Sequence, residues 1–314
     1  MNHGRPDGVG CVPPVNAVDN RAVEHPYALD QPQAYLRWRE HKLARYPRHA
    51  EDLIVEVRDP RELRASEAAE IRRVCGMANM AVYASPLAGV ADKDIARRLG
   101  AQLGLARLHA NALADEDGIS SLEVAPEKSA RGYIPYSNRR LLWHTDGYYN
   151  PPQQRIGAFI LHCVQPAAAG GENRLLDPEI AYILLRDADP EYVKVLSAPD
   201  ALTIPANEED PAAQRAAQTG PVFSADGGAL HMRYTARTRS IEWRADEATR
   251  AAVQFLREIL DSDSRYVFTL RLAGGQGIVC NNVLHDRSAF TDEPAPGLKR
   301  LVYRARYTER VGNA

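Results

Sequence analysis

Apolar and polar positions follow two different rhythms along this chain. In the first third the spacing is helical. Gln33 to Arg45 predicts a charged helix, and Ser66 to Met77 predicts a second, with Ser66 as its cap and Glu67 and Glu70 in the first turn. Asp92 to Leu103 predicts a third, because Ile95, Leu99 and Leu103 fall on one face. Between them Met80 to Ser85, MAVYAS, is a continuous apolar run of the kind a buried strand uses. From Leu141 onward the rhythm changes to that of strands, and RIGAFILHCVQ (Arg155 to Gln165) carries it most strongly. Ala167 to Gly171 reads as a small-residue turn, Pro178 to Arg186 and Asp246 to Leu260 as helices. The C-terminal part alternates strands and turns through RYVFTLRL, AGGQG, IVCNNVLH and KRLVYRARYTE.

The pattern shows no clean linker and no internal repeat. Residues 1–25, rich in Gly, Pro and Asn, read as a flexible lead-in, and 26–314 as one domain. That domain has a helical part over about 26–110 and a β-rich core over about 111–314. Asn207 to Ser224 (207–224) is polar, Ala-rich and aperiodic, and reads as a lid. A chain of 314 residues can bury about 75% of the surface it exposes unfolded, so it needs no disulfides. Cys11, Cys75, Cys163 and Cys280 are far apart, without CxxC or zinc-finger spacing, and are expected as free thiols. Lys and Arg total 39 against 41 Asp and Glu, a net charge of −2, which argues against a nucleic-acid-coating surface. The first residues contain no apolar signal core, and no window approaches the ~18 apolar residues of a membrane span. The expectation is a soluble, cytoplasmic protein with no membrane or nucleic-acid partner; its oligomeric state is left open, a homo-oligomer included.

Specific residues carry the chemistry. In an extended strand, residues i and i+2 point to one side, so His144 and Asp146 of WHTDG can present an imidazole and a carboxylate to one point. That is two thirds of a 2-His-1-carboxylate triad, the holder of non-haem Fe(II) with open positions. A surface His–Asp pair has the same two letters. A second histidine, His285, ends the apolar run of GGQGIVCNNVLHDRSAF, far enough along the chain for several strands to intervene. A basic cluster follows, in which Arg300, Arg304 and Arg306 share one strand face. Guanidiniums on a barrel wall bind carboxylates bidentately, although a solvated strand face has the same pattern.

The order HxD, then Gly170-Gly171-Glu172-Asn173, then NN…LHxR..F, then Arg300 and Arg304 resembles the Fe(II)/2-oxoglutarate dioxygenases of the taurine dioxygenase-like (TauD/TfdA) family, over roughly Met80 to Tyr307. The resemblance implies an α+β fold with a double-stranded β-helix (jelly-roll, cupin-like) core and flanking helices. It implies Fe(2+) on His144, Asp146 and His285 as the catalytic centre, with 2-oxoglutarate and O2 as cosubstrates. Arg300 would clamp the 2-oxoglutarate carboxylate and Asn173 would support it. Asn173 stands where Thr is common, which is similar to the γ-butyrobetaine hydroxylase branch. Arg304 would meet substrate or cosubstrate, and Tyr136 and Tyr149 would face the substrate. The implied reaction hydroxylates an unactivated C–H of a small anionic or zwitterionic molecule and releases succinate and CO2; Asp146 fits hydroxylation rather than halogenation. The alternative is a non-catalytic metal- or ligand-binding barrel of the same fold, which would need neither Arg300 nor Asn173. Among lesser residues, His162 reads as a core histidine, His231 and Trp243 as strand residues near the site, and Arg287 as a brace for the His285 strand.

Overall fold

The computed structural model describes residues 1, 25–109, 117–208, 214–293 and 299–312. Most of the sequence-predicted lead-in at 1–25, Cys11 included, lies outside the described residues.

The larger sheet has six strands. In spatial order they are β1 (Ile54–Glu56), β2 (Met80–Ala84), β14 (Gln276–Cys280), β5 (Ala158–Gln165), β17 (Leu301–Tyr307) and β3 (Ser120–Leu122). Only β1 and β2 pair in parallel. The smaller sheet is antiparallel throughout: β13 (Phe268–Leu270), β7 (Asn173–Leu176), β15 (Leu284–Arg287) and β4 (Leu141–His144). Core strands that follow one another in the chain change sheets: β4 lies in the smaller, β5 in the larger, β7 in the smaller. Likewise β13, β14, β15 and β17 alternate. This alternation winds the chain into a double-stranded β-helix, and the fold is α+β with helices on its flanks. Three short sheets complete the body: β10 (Phe223–Asp226) with β11 (Ala229–Met232); β12 (Glu242–Trp243), β8 (Leu202–Ile204) and β9 (Gln218–Gly220); and β16 (Phe290–Thr291) with β6 (Ala169–Gly170).

The helices are α1 (Pro32–Arg45), α2 (Ala65–Ala78), α3 (Asp94–Gln102), α4 (Pro126–Ala130), α5 (Pro178–Ala188), α6 (Pro190–Leu196) and α7 (Glu247–Asp261). In α7, Ala252, Val253, Leu256, Ile259 and Leu260 are buried at helical spacing, and the Asp246 side chain caps the helix by accepting from the Thr249 N–H. Helix α2 differs from the sequence reading at its start. Ser66 lies inside it, and the Glu67 carboxylate instead accepts from the Arg64 N–H at 2.7 Å. The N-terminal part also does more than pack on the barrel. Its apolar strand β2, buried at every residue, pairs with β14 and extends the larger sheet together with β1. The run IVCNNVLH is not one strand, because Asn282 adopts a left-handed φ of 51° and turns the chain between β14 and β15. Nor is 207–224 aperiodic: β9 and the start of β10 lie within it, and Asn207 and Arg215 bridge antiparallel around 209–213, which lie outside the described residues.

One buried ionic cluster ties the flank to the barrel. Lys42 of α1 reaches Asp177 at 2.6 Å and Glu179 at 2.5 Å, at the start of α5. Asp177 also caps α5 through the Glu179 N–H at 2.8 Å and accepts from Asn79 Nδ2 at 3.0 Å. Burial pushes the Asp177 carboxyl up, and the Lys42 ammonium beside it opposes that rise. Removing the cation strands two buried acids. Lys42→Met is therefore expected to destabilise the fold by ~3–5 kcal/mol, read from chemical denaturation midpoints at neutral pH.

Candidate metal centre and an adjoining cationic cleft

The smaller sheet brings the two predicted histidines together by register. His285 of β15 lies directly across from His144 of β4, and their ring centroids are 4.1 Å apart. The Nδ1 of each ring bonds the carbonyl two residues earlier, Leu142 O and Val283 O, both at 2.9 Å. A carbonyl can only accept, so each Nδ1 carries the proton and each Nε2 presents a lone pair. Burial, with the charge of His285 second, pushes the His144 imidazole down to about 3, and burial lowers His285 as well. Both rings are therefore neutral at neutral pH, the form a metal requires.

Asp146 is not on the strand. Strand β4 ends at His144, and Asp146 lies in the turn that follows. Its carboxylate reaches the histidines because Asn282 brackets its backbone. Asn282 Oδ1 accepts from the Asp146 N–H at 2.8 Å, while Asn282 Nδ2 donates to Asp146 O at 3.0 Å and Ile156 O at 2.9 Å. The sequence displayed Asn282 within its NN motif but gave it no role; a pair of asparagines interrupting an apolar run was the available signal. Asp146 Oδ1 accepts from Arg304 Nη1 at 3.1 Å and lies 3.8 Å from His144 Nε2, while Oδ2 is buried with no partner among the described residues. Burial alone would raise this carboxyl; the Arg304 and Arg306 guanidiniums outweigh it and hold it well below the usual range. Three ligand atoms, one from each of His144, Asp146 and His285, lie within 4.8 Å of one another in a buried group. Two free imidazole nitrogens and an orphaned carboxylate oxygen fit a divalent iron with open positions.

Arg300 and Asn173 line a common cleft with Gly170, Gly171 and Arg271. Gly170 and Gly171 have φ of 74° and 79°, and a Cβ on Gly170 would collide with Ala289 O, so this turn accepts only glycine there. Asn173 lies one pleat from the histidine row, across from Arg287. The Arg300 side chain is buried, donates to Leu122 O at 3.2 Å and has no ion pair among the described residues. Arg287 braces the approach to β4, its Nη2 donating to Ser137 O at 2.9 Å and Arg139 O at 2.5 Å.

Further along β17, two residues past Arg304, Arg306 Nη1 donates to Tyr149 Oη at 3.3 Å. The Arg215 guanidinium lies 5.6 Å from the Tyr149 ring, and the buried Tyr136 is close enough to Arg306 to act on its charge. Arg306 was on the predicted strand face without a role, and Arg215 carried no sequence signal. His162 bonds Tyr83 Oη at 2.8 Å in the core, and neither it nor His231 joins the triad.

His144→Ala and His285→Ala are each expected to remove most Fe(II) affinity while the fold persists. Asn282→Ala, which touches no metal directly, is expected to weaken it by about 10- to 100-fold. Anaerobic calorimetry with Fe(II) reads all three, alongside circular dichroism.

Known proteins resemble this chain in both sequence and fold. A uridine-5'-phosphate dioxygenase from Amycolatopsis sp. is 35% identical over 178 residues, 54% of this chain and 61% of that protein. One from Streptomyces sp. is 31% identical over 179 residues, 53% of this chain and 61% of that protein. The chain thus spans about three fifths of the length of these curated relatives. Among solved structures, an asparagine oxygenase in complex with Fe(II), 2S,3S-3-hydroxyasparagine and succinate is 18% identical with a TM-score of 0.57, covering 92% of this chain and 88% of that one. The non-heme iron oxygenase OrfP in complex with Fe, succinate and (3S)-hydroxy-L-Arg is 16% identical with a TM-score of 0.59, covering 78% and 81%. These likenesses are in fold. Residues 45–306 match the family described as taurine catabolism dioxygenase TauD, TfdA, and the chain belongs to that family.

Proposed function

We propose that this protein is an Fe(II)- and 2-oxoglutarate-dependent dioxygenase that hydroxylates a C–H bond of a small anionic molecule. The observation that carries this reading is the buried His144–Asp146–His285 triad, in a fold that also builds Arg300, without an ion pair among the described residues, into a cleft. Bound Fe(II) would supply activation of O2 coupled to oxidative decarboxylation of 2-oxoglutarate, giving succinate, CO2 and hydroxylated substrate.

The chain's own residues then divide the remaining tasks. Arg300 pairs with the far carboxylate of 2-oxoglutarate, because a buried guanidinium without a carboxylate partner is costly and an anion relieves it. Asn173, across from Arg287 on the same cleft, donates to the cosubstrate. Arg304 holds Asp146 in line and, with Tyr136 and Tyr149, faces the substrate. Burial of the triad excludes water from the reacting atoms, and the fixed side chains hold the substrate C–H near them. The bridge between Asn207 and Arg215 brings the Arg215 guanidinium to the Tyr149 ring on that side.

The two curated relatives act on uridine 5'-phosphate by name, so nucleoside 5'-phosphates are the first substrates to assay. No helix among the described residues is long and apolar enough to cross a membrane. A small-molecule partner in the cytoplasm suits the near-neutral charge of −2 better than a nucleic acid does.

Anaerobic addition of Fe(II) and then 2-oxoglutarate is expected to produce a weak visible charge-transfer band. Its absence in folded, metal-loaded protein would leave a metal-binding barrel without this chemistry. Arg300→Ala is expected to lower 2-oxoglutarate affinity by the equivalent of ~2–5 kcal/mol, about 30-fold to several-thousand-fold, while Fe(II) affinity is retained. In a panel of nucleoside 5'-phosphates, small acids and neutral analogues, succinate release is expected to depend on the anionic members.

A further inference from the structure

Arg304 and Arg306 lie on one face of β17, about 7 Å apart by strand geometry, with Asp146 acting on both. The two differ in what compensates them. Arg304 has an ion pair with Asp146 at 3.1 Å. Arg306, 3% exposed, has a phenol for its partner, Tyr149 Oη at 3.3 Å, and its Nη2 is buried with no partner among the described residues. Arg304 Nε is likewise buried and unpartnered among the described residues. Beyond Tyr149 stands a third guanidinium, Arg215, which donates to the carbonyl of Pro205 at 2.6 Å and faces the Tyr149 ring at 5.6 Å. His109 adds a buried Nδ1 without a partner among the described residues, and its backbone N–H donates to Arg306 O at 2.8 Å.

The charges can be compared directly. Arg304 and Arg306 both act on the carboxylate of Asp146, while Arg215 lies beyond Tyr149, and no other acid is paired with these guanidiniums among the described residues. Among the described residues Arg304 is matched by Asp146, and Arg306 and Arg215 have no ion pair. A carboxylate or sulfonate would neutralise one of the two; a phosphomonoester dianion would neutralise both and has enough oxygens to accept from several N–H edges at once. A buried guanidinium edge left without an acceptor is destabilising, so the site is built to be completed by such a group.

We propose that Arg306 and Arg215, arranged about Tyr149, form the seat of a phosphomonoester dianion on the substrate, further along β17 than the Arg300 cleft. This assignment rests on the dioxygenase reading and deepens it: Arg300 and the Arg306–Arg215 seat take two different anions. It makes Arg306 and Arg215 specificity-determining residues, with Arg304 positioned between metal ligand and substrate.

The test compares ligand pairs that differ only in the phosphate. Binding of the four ribonucleoside 5'-monophosphates and their parent nucleosides is measured by calorimetry on anaerobic protein loaded with Fe(II) and 2-oxoglutarate. At least one monophosphate is expected to bind about 30-fold or more tighter than its nucleoside. Arg306→Ala is expected to abolish most of that ratio by weakening the monophosphate alone, with partial recovery in Arg306→Lys. Arg215→Ala, which changes a residue outside the barrel wall, is expected to reduce the ratio by about tenfold. Affinity for 2-oxoglutarate should be the same in all three variants. Failure of the wild-type protein to bind 2-oxoglutarate would overturn the dioxygenase reading itself. Normal 2-oxoglutarate binding with no preference for phosphate, or a preference untouched by Arg306→Ala and Arg215→Ala, would overturn the seat and leave that reading standing.

Discussion

The site depends on one register: His285 of β15 opposite His144 of β4. A slip of one residue in either strand would turn an imidazole to the other face of the sheet and exchange it for its neighbour. On β15 that neighbour is Asp286, which pairs with Arg174 at 3.1 Å, so the two faces of this strand carry opposite tasks. The register is secured from both sides. On β7, Leu175 lies across from His285, and at the strand's start Asn282 leaves the β region to hold Asp146 by both its backbone N–H and its carbonyl. The third candidate ligand, Asp146, is therefore fixed by a side chain of the turn between β14 and β15, just ahead of His285. The geometry of the candidate metal centre is a property of sheet pairing and one asparagine, not of the WHTDG segment alone.

Around that centre the protein accumulates buried positive charge. Arg287, Arg300, Arg304 and Arg306 are all less than a tenth exposed, and Arg304 has an acidic partner in Asp146. Arg287 is satisfied by backbone carbonyls, and burial, with Arg300 adding to it, pushes its guanidinium down to about 9. Arg300 and Arg306 remain with donors that the described chain does not fill by charge. Such an arrangement is unfavourable by itself and would become favourable on binding anions, as proposed for both arginines, which is how a binding site would differ from a structural ion pair. The contrast with Lys42, Asp177 and Glu179 is direct. There charge is buried as well, but one cation and two acids meet within 2.6 Å and tie α1 to α5 without a ligand.

Much of this was legible in the sequence. The strong apolar runs became β2 and β5, the amphipathic stripes became α3 and α7, and the residues quoted for the metal assembled as one buried group. Asn173 and Arg300, far apart in the chain, line one cleft. What the sequence concealed came from backbone conformation and from contacts between distant segments. The run IVCNNVLH looks like one strand because apolar letters flank its two asparagines on both sides; the left-handed Asn282 that divides it shows only as the second of them. The segment 207–224 looks structureless because its strands are short and pair outside it, β9 with the earlier β8 and β10 with the later β11. Arg215 is one of 39 basic residues, and only its place beside the Tyr149 ring sets it apart. The narrower likeness to the γ-butyrobetaine hydroxylase branch gains nothing from the relatives described above, whereas the wider family does.

The central claim is that the triad and the Arg300 cleft are two halves of one site. It is tested most directly by anomalous diffraction from crystals grown anaerobically with Fe(II) and 2-oxoglutarate. The account predicts one iron bound by the Nε2 atoms of His144 and His285 and by Asp146 Oδ2, with the distal carboxylate of 2-oxoglutarate on the Arg300 guanidinium. Iron held by other residues, or a 2-oxoglutarate whose distal carboxylate is paired away from Arg300, would contradict it.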